Sequence, residues 1–140
     1  MAVFNKFNSF VEDVAEKVHN LSADTLKVML TNTAPSASNT IKANITEISA
    51  GNGYTAGGTA ASVSSSAQTS GTYKLVCSDV VFTASGAVGP FRYAVLYNDT
   101  PTSPADPLIG WWDYASAVTM ASADTFTADF DGTTGVLQLA

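Results

Sequence analysis

The first twenty-one residues carry apolar side chains at intervals of three and four, the spacing of one face of an α-helix. These positions are Phe4, Phe7, Val11, Val14, Val18 and Leu21. Ser9 followed by Glu12 fits a capping box near the start of this segment. The pattern predicts one amphipathic helix over residues 4–21, and no other part of the chain shows a comparable helical period.

From residue 25 onward the apolar period falls to two, which is typical of strands. Leu26, Val28 and Leu30 alternate along residues 25–31. Similar segments are separated by glycine-bearing turns, and they cover residues 58–67, 72–83, 91–98, 107–114, 124–130 and 135–140. We expect residues 72–83 to break near Ser78–Asp79. Residues 40–48 fit either a short strand or one helical turn.

Seven or eight short strands at fairly even spacing predict a mainly β protein. The expected architecture is an antiparallel β-sandwich or a jelly-roll-like barrel with one N-terminal amphipathic helix. At 140 residues the chain has the length of one domain. We therefore predict a single domain over residues 1–140, with the helix at 4–21 and the β-sandwich at 25–140.

Residues 91–98 and 107–114 are apolar on both faces, so we expect them to be central strands. Their connector contains two prolines, which cannot donate to a ladder, and is predicted to be a loop. The hairpin register that agrees best pairs aromatic residues with each other and the single arginine with a carboxylate. Its pairs are Tyr97 with Leu108, Tyr93 with Trp112, Phe91 with Tyr114, and Arg92 with Asp113.

The stretch ITEISAGNGYTAGGTA at residues 45–60 is glycine-rich and raises the question of a phosphate-binding loop. Such a loop needs backbone N–H groups at a helix N-terminus, usually with Lys and Ser or Thr after the last glycine. Here no lysine follows Gly58 until Lys74. We interpret the stretch as a tight bend with Asn52 or Gly53 at positive φ.

Charged residues make up only 13% of the chain, and the net charge is −6. The six basic residues are spread singly, whereas nucleic acid binding needs grouped cations, so no direct nucleic-acid partner is expected. No apolar run approaches the length of a membrane span, and the N-terminus lacks the pattern of a signal peptide. We expect a soluble protein made in the cytoplasm, with a neutral surface suited to repeated contact with neighbours.

Two reactive side chains occur once each, His19 and Cys77. His19 lies at the end of the predicted helix with no nucleophile placed beside it, which favours a structural role over that of a general base. A single cysteine excludes an internal disulfide. Its strand position, next to Val76, is typical of a small buried hydrophobic residue.

The segment DFDG at residues 129–132 resembles the start of a calcium loop, but the remaining oxygen ligands and the closing glutamate are missing. Asp129 and Asp131 are therefore predicted to flank a strand end and a turn. Trp111, Trp112 and Tyr114 could form a sugar-stacking platform. Adjacent residues of a strand face opposite ways, so the two tryptophans cannot share one platform, and a core role is favoured. We predict no catalytic, cofactor-binding or metal-binding residues.

Four segments follow one another along the chain: ANITEISAGNGYTAGGTA, DVVFTASGAVGPFRYAVLYNDTP, PLIGWWDY and TFTADFDGTTGVLQLA. Their order resembles a family of small structural proteins encoded by tailed bacteriophages. Family members share a GNGYTxGG bend, an FTASG turn before an RYAVLYxD/N strand, and a C-terminal strand of the form G-V/I-L/F-x-L. The resemblance covers residues 25–140. The loop PTSPAD is longer than in the family, and ASAD at residues 121–124 replaces its Gly-Asp turn.

The resemblance implies a virion component with no enzymatic residues. The role that fits best is an auxiliary capsid protein, a decoration or cement protein bound outside the major capsid shell. Its partners would be the major capsid protein and further copies of itself, most simply as a trimer. A tail or fibre-associated protein is the first alternative, and a carbohydrate-binding module, which needs an exposed aromatic side chain, is the second.

Overall fold

The computed structural model describes residues 2–140, which form ten strands, one α-helix and one 3₁₀ turn. The strands are β1 (Phe4–Lys6), β2 (Leu26–Thr31), β3 (Thr59–Ala61), β4 (Val63–Thr69), β5 (Thr72–Cys77), β6 (Val80–Thr83), β7 (Val88–Asn98), β8 (Leu108–Met120), β9 (Thr125–Ala128) and β10 (Leu137–Leu139). The helix α1 is Ser9–Ala15, and the 3₁₀ turn is Lys42–Asn44.

The strands form one five-stranded sheet and two smaller sheets, all with antiparallel pairing. The five-stranded sheet has the order β1-β8-β7-β2-β3, the three-stranded sheet has the order β10-β5-β4, and β6 pairs with β9. The prediction of a mainly β, antiparallel protein with one helix is confirmed, and the arrangement is consistent with a β-sandwich. The sheets do not close into a barrel.

The main core lies between the five-stranded sheet and the two smaller ones. Leu26, Val28 and Leu30 bury the same face of β2, as their alternation predicted. They share one cluster of buried residues with Leu75 of β5 and Phe82 of β6. Burial of this apolar surface is the main force that holds the sheets together.

The opposite face of the five-stranded sheet is also buried. Its cluster consists of Phe7, Met29, Val95, Tyr97 and Leu108. Residues that precede β3 lie over this face: Ile45 packs against the cluster, and the Lys42 Nζ sits 5.3 Å from the centroid of the Tyr97 ring. The middle of this sheet is therefore covered on both sides, which explains why the strand at residues 91–98 is apolar on both faces.

The N-terminal helix is shorter than predicted at both ends. At its start, residues 4–6 form a strand instead. β1 pairs with β8, with Phe4 opposite Trp112. Phe4 packs toward the main core and Phe7 toward the opposite face, since an interval of three in extended chain reverses direction. The predicted capping box is also wrong: the N-cap is Asn8, without a side-chain hydrogen bond. The helix ends at Ala15, and Lys17 follows with φ of 66°.

Most strand predictions match the structure in position. The segment at 72–83 breaks between Cys77 and Val80, as expected. The ambiguous segment at 40–48 forms the 3₁₀ turn rather than a strand. β8 runs six residues beyond the predicted end, to Met120, because it continues to pair with the start of β7 through Val88.

The predicted hairpin register is right at one end of β7 and β8 and wrong beyond it. Tyr97 does pair with Leu108, but Leu96 then pairs with Gly110, so Ile109 is an extra residue on β8. The Ile109 carbonyl accepts a hydrogen bond from the Phe7 N–H at 3.2 Å. The extra residue of this bulge therefore lies where the segment after β1 is bonded to β8.

The bulge shifts the next pairs by one residue, so that Asp113, rather than Trp112, is opposite Tyr93. Val118, rather than Tyr114, is opposite Phe91, because the ladder is irregular again between Phe91 and Tyr93.

Arg92 and Asp113 nevertheless meet, through a second irregularity of the ladder between Phe91 and Tyr93. The Arg92 Nε donates to Asp113 Oδ1 at 2.7 Å, and Nη2 donates to Oδ2 at 2.9 Å. These bonds lower the pKa of the Asp113 carboxyl group, and the Ala115 N–H adds to the effect. The Arg92 guanidinium also lies over the Tyr93 ring, 5.3 Å from its centroid.

Candidate functional site

A surface cleft of about 250 Å³ opens where β8 and β9 approach each other. Trp112 and Tyr114 are two apart on β8 and therefore point to the same side. Phe126, Ala128 and Phe130 repeat this spacing along β9 and the residues after it. The remaining lining residues are Ala2, Ala94, Thr127 and Asp129.

Two pairs of aromatic rings shape the cleft. Trp112 lies 5.4 Å from Phe130 between ring centroids, and Tyr114 lies 5.5 Å from Phe126 in an edge-to-face arrangement. Phe130 is buried, whereas 54% of Tyr114 is exposed to solvent. Aromatic rings held by such contacts keep their position without a ligand, so the cleft is largely preformed.

The cleft has few polar groups, and its single formal charge among the described lining residues is Asp129. Asp129 is exposed, and within residues 2–140 no group is hydrogen-bonded to its carboxylate. The structure thus places Asp129 at an aromatic cleft rather than in a calcium loop with Asp131. Asp131 accepts hydrogen bonds from the N–H groups of Thr133 and Thr134, which lower the pKa of its carboxyl group.

The two tryptophans face opposite sides of β8, as predicted. Trp111 packs on Phe7, with ring centroids 4.6 Å apart, on the face that carries the second cluster. Trp112 packs on Phe4 and lines the cleft. The prediction favoured a core role for all three aromatic residues. Trp111 and Trp112 are partly buried and each packs against a core cluster, whereas Tyr114 is exposed.

The glycine-rich stretch forms a tight bend, and both Asn52 and Gly53 have positive φ, at 52° and 95°. The Asn52 side chain donates to the Ala87 carbonyl at 2.8 Å, and the Ser85 N–H donates to the Asn52 carbonyl at 2.8 Å. A Cβ on Gly53 would overlap the Thr83 carbonyl oxygen. The bend is therefore packed against the turn between β6 and β7, and the N–H groups of Gly51 and Tyr54 donate to each other's carbonyls within it.

Glu47 connects the end of this bend to the five-stranded sheet. Its Oε1 accepts hydrogen bonds from the Tyr54 hydroxyl at 2.7 Å and from the Gly57 N–H at 2.6 Å. The Tyr54 oxygen in turn accepts the Leu30 N–H of β2 at 3.0 Å. Burial raises the pKa of Tyr54, so the hydroxyl keeps its proton and remains the donor to Glu47. Tyr97 completes the arrangement by donating to the Gly57 carbonyl at 2.7 Å.

Replacing Tyr54 by phenylalanine is expected to lower the free energy of unfolding by about 2 kcal/mol. The change keeps the ring but leaves the buried Leu30 N–H without its acceptor, and an unsatisfied buried group costs roughly 1–3 kcal/mol. Urea unfolding followed by tryptophan fluorescence would measure the loss. Tyr114→Phe, at an exposed position, is the matched control and should leave the midpoint unchanged. Equal midpoints for the two variants would contradict this account of Tyr54.

His19 lies in a buried polar cluster between the helix and the end of β7. Its Nδ1 is 3.1 Å from the Asn98 side-chain nitrogen, which also donates to Asp24 at 2.6 Å. Its Nε2 is buried without a hydrogen-bond partner in the described chain and lies 4.0 Å from Asp13 Oδ2. Burial lowers the pKa of His19 to about 4, so the imidazole is neutral at pH 7.

Cys77 is buried at the end of β5, and burial raises the pKa of its thiol to about 11. It belongs to the main hydrophobic core. The structure does not bring it together with His19, which contacts Asn98 and Phe10 instead. Cys77 thus has the environment of a structural residue.

Within residues 2–140, no group of three or more His, Cys, Asp or Glu side chains has an arrangement that could hold a metal ion. No helix in that range has the length and hydropathy of a membrane span.

The fold and the cleft together define a small antiparallel β protein with a preformed, aromatic-lined surface site. Comparison with family models, with curated proteins and with solved structures finds no match to this chain.

Sequence reasoning missed Phe126 and Phe130 as cleft residues. Their alternation with Ala128 is visible in the segment TFTADF and would have placed all three on one face. The sequence did not show which element that face packs against. β9 pairs with β6, and it meets β8 only through side chains, a contact that no local pattern reveals.

Proposed function

We propose that this chain is a structural protein of a tailed-bacteriophage virion, and specifically an auxiliary capsid protein bound to the outside of the major capsid shell. The observation that carries the proposal is the packing of the segments on which the family resemblance rests. Asn52 and Gly53 contact the turn at residues 83–87, and Tyr97 is bonded to Gly57. Three of the segments that carry the resemblance, the bend, the turn after β6 and β7, thus contact one another in the fold.

This packing gives a physical reason for the motifs to occur together. Asn52 and Gly53 of the bend pack against the turn at residues 83–87. Gly57 is bonded to Tyr97 of β7, and Gly58 lies against β2. Gly86, for example, leaves room for the Asn52 side chain, which a Cβ there would contact at 2.8 Å. A chain with all of these segments in the same order is expected to share the fold of the family it resembles.

The surface suits repeated contact with other proteins in a large assembly. Only 13% of all residues are charged, and the exposed faces of β4 carry Ser, Ala, Gln and Thr. Such a surface gives little charge repulsion between neighbouring copies. The partners in this proposal are the major capsid protein and other copies of the chain, arranged by the symmetry of the shell, and a trimer is the simplest local oligomer.

The proposed mechanism is stabilisation by mass action. A protein that binds the assembled shell better than its free subunits adds its binding free energy to the stability of the shell. Many weak contacts arranged by symmetry together hold each copy in place without a strong single interface. This mechanism needs no catalytic group, cofactor or nucleic-acid contact from the chain.

Purified virions are expected to contain many tens of copies of the chain, and virions without it are expected to release DNA at a lower temperature. Quantitative mass spectrometry against the major capsid protein measures the first result. A fluorescent DNA dye followed during a thermal ramp measures the second. As a control, adding the purified chain back to these virions should restore the release temperature. This result would show that the lower temperature was caused by the missing chain.

Other outcomes would assign the chain elsewhere. A handful of copies per virion would contradict the capsid proposal and favour the tail. The exposed Tyr114 beside Trp112 is the observation that favours a carbohydrate-binding module, the second alternative. Absence from virions combined with glycan binding through these two residues would support that function instead.

A further inference from the structure

We propose that the aromatic cleft receives a lysine or arginine side chain from the protein partner, so that this cleft is an anchoring point of the interface. The inference rests on the proposed function, because it takes the partner to be a protein of the shell. It concerns the site formed by Trp112, Tyr114, Phe126, Phe130 and Asp129.

The aromatic rings supply the first part of the recognition. Trp112 and Tyr114 stand on the same side of β8, and Tyr114 is 54% exposed. A cationic group within about 6 Å of an aromatic centroid is attracted to the ring face, most strongly for tryptophan. The apolar stem of a lysine or arginine would meanwhile cover the Ala94 and Ala128 side of the cleft.

Asp129 supplies the second part, which is charge complementarity. It is the only formally charged residue among the described residues of the lining, and it is exposed. A carboxylate at the edge of an aromatic cleft favours a cation and disfavours an anion. The net charge of −6 has the same sign as this local charge and adds to the attraction of a basic partner.

The protein already uses the same contact twice within its own fold. The Lys42 Nζ and the Arg92 guanidinium each lie 5.3 Å from the centroid of a tyrosine ring, on Tyr97 and Tyr93 respectively. Arg92 combines this contact with hydrogen bonds to Asp113. The cleft lining likewise includes aromatic rings and a carboxylate, and its described residues include no lysine or arginine.

A saccharide fits the cleft less well than a cationic side chain. Strong sugar recognition needs several polar groups that converge on the hydroxyls, whereas polar side chains are a minority of the lining. The volume of about 250 Å³ suits one long side chain. Arginine and aromatic anchors in such pockets carry much of the energy of protein interfaces.

A peptide titration followed by NMR tests this inference on the isolated protein. The probe is acetyl-Gly-Arg-Gly-amide, and its control is the same peptide with citrulline, which has nearly the same shape as arginine and no charge. The arginine peptide is expected to shift the Trp112 indole N–H signal at millimolar concentrations, and citrulline much less. Trp111, on the other face of β8, is the internal control and should not shift.

Two variants locate the binding site. Asp129→Asn removes the charge and Tyr114→Ala removes the exposed ring, and each is expected to raise the Kd of the arginine peptide roughly two- to fivefold. Val11→Ala, at a half-exposed apolar residue of the helix, should leave the Kd unchanged. Added salt should weaken binding to the wild-type protein more than binding to Asp129→Asn.

Several results would overturn the inference. Equal shifts with the arginine and citrulline peptides would show that charge plays no part. A shift of Trp112 with maltotriose but not with the arginine peptide would assign the cleft to saccharides, and no shift with either probe would leave the cleft without a ligand of these classes. Virions carrying Asp129→Asn or Tyr114→Ala separate the two proposals. If these variant virions keep the normal copy number of the chain after washing with salt, the proposal for the cleft is rejected and the capsid function is not. If the wild-type chain is absent from virions, the capsid function is rejected.

Discussion

Replacing Gly58 by alanine is expected to lower the free energy of unfolding by more than about 3 kcal/mol, enough to unfold a marginally stable domain. Gly58 has φ of +77° and lies directly against β2. An added Cβ would overlap the Val28 carbonyl oxygen and would lie 2.8 Å from the Met29 Cα. Both neighbours are backbone atoms of a buried strand, so the clash cannot be relieved by rotating a side chain.

Gly71→Ala is the matched control for this substitution. Gly71 has a similar φ of +84°, but no atom lies within 4 Å of its added Cβ. The decrease in the free energy of unfolding for Gly71→Ala should therefore reflect backbone strain alone, which costs roughly 1–2 kcal/mol. Urea unfolding of both variants measures the difference, and soluble yield gives a second measurement if Gly58→Ala does not fold. Equal losses would show that the close approach to β2 contributes nothing.

Lowering the pH from 7 toward 4 is expected to remove stability on the order of 3 kcal/mol through His19. The pKa of His19 is about 4 in the folded protein, below its ordinary value of 6.5. The unfolded chain therefore binds the proton more readily. The contribution of the neutral imidazole is complete above pH 6.5 and is lost as the pH falls toward the folded-state pKa.

The groups around His19 modify this dependence. Asp24 favours the charged imidazole and so limits the fall of the His19 pKa. Burial, followed by Glu12 and Glu16, raises the pKa of Asp13. Asp13 therefore takes up its proton more readily in the folded state and offsets part of the loss at the acidic end.

His19→Gln tests the assignment, because glutamine keeps a side chain that can bond to Asn98 but does not titrate. Denaturant unfolding at a series of pH values between 7 and 4 should show a flatter profile for the variant than for the wild type. His19→Asn provides a second non-titrating side chain if the glutamine variant folds poorly. Parallel profiles for wild type and variants would assign the acid sensitivity to other groups.

The N-terminal segment shows where a clear local pattern predicted the wrong element. Residues 4–21 have a helical period, yet only Ser9–Ala15 are helical. The apolar side chains at 4 and 7 serve two faces of one sheet, because β1 pairs with the edge of β8. The spacing of Phe4 and Phe7 therefore fits a strand as well as a helix. Pairing with the edge of β8 favoured the strand at residues 4–6.

The hairpin of β7 and β8 shows a similar limit for register. The chemical match of Arg92 with Asp113 was sound, since the two side chains do bond. The register around this pair was wrong, because Ile109 is an extra residue on β8 whose carbonyl is bonded to Phe7, and a second irregularity lies between Phe91 and Tyr93. A bulge that is stabilised by a residue about a hundred positions away has no signature in the hairpin sequence itself.

By itself, the sequence determined what depends on neighbouring residues: the alternation of β2, the break between β5 and β6, a positive φ at Asn52 or Gly53, and the opposite orientation of Trp111 and Trp112. The tertiary structure decided the sheet order, the N-terminal strand, the bulge at Ile109 and the cleft between β8 and β9. The physical reason is the range of the interactions. Side-chain alternation and turn geometry are local, whereas strand pairing and packing depend on contacts between segments far apart in the chain.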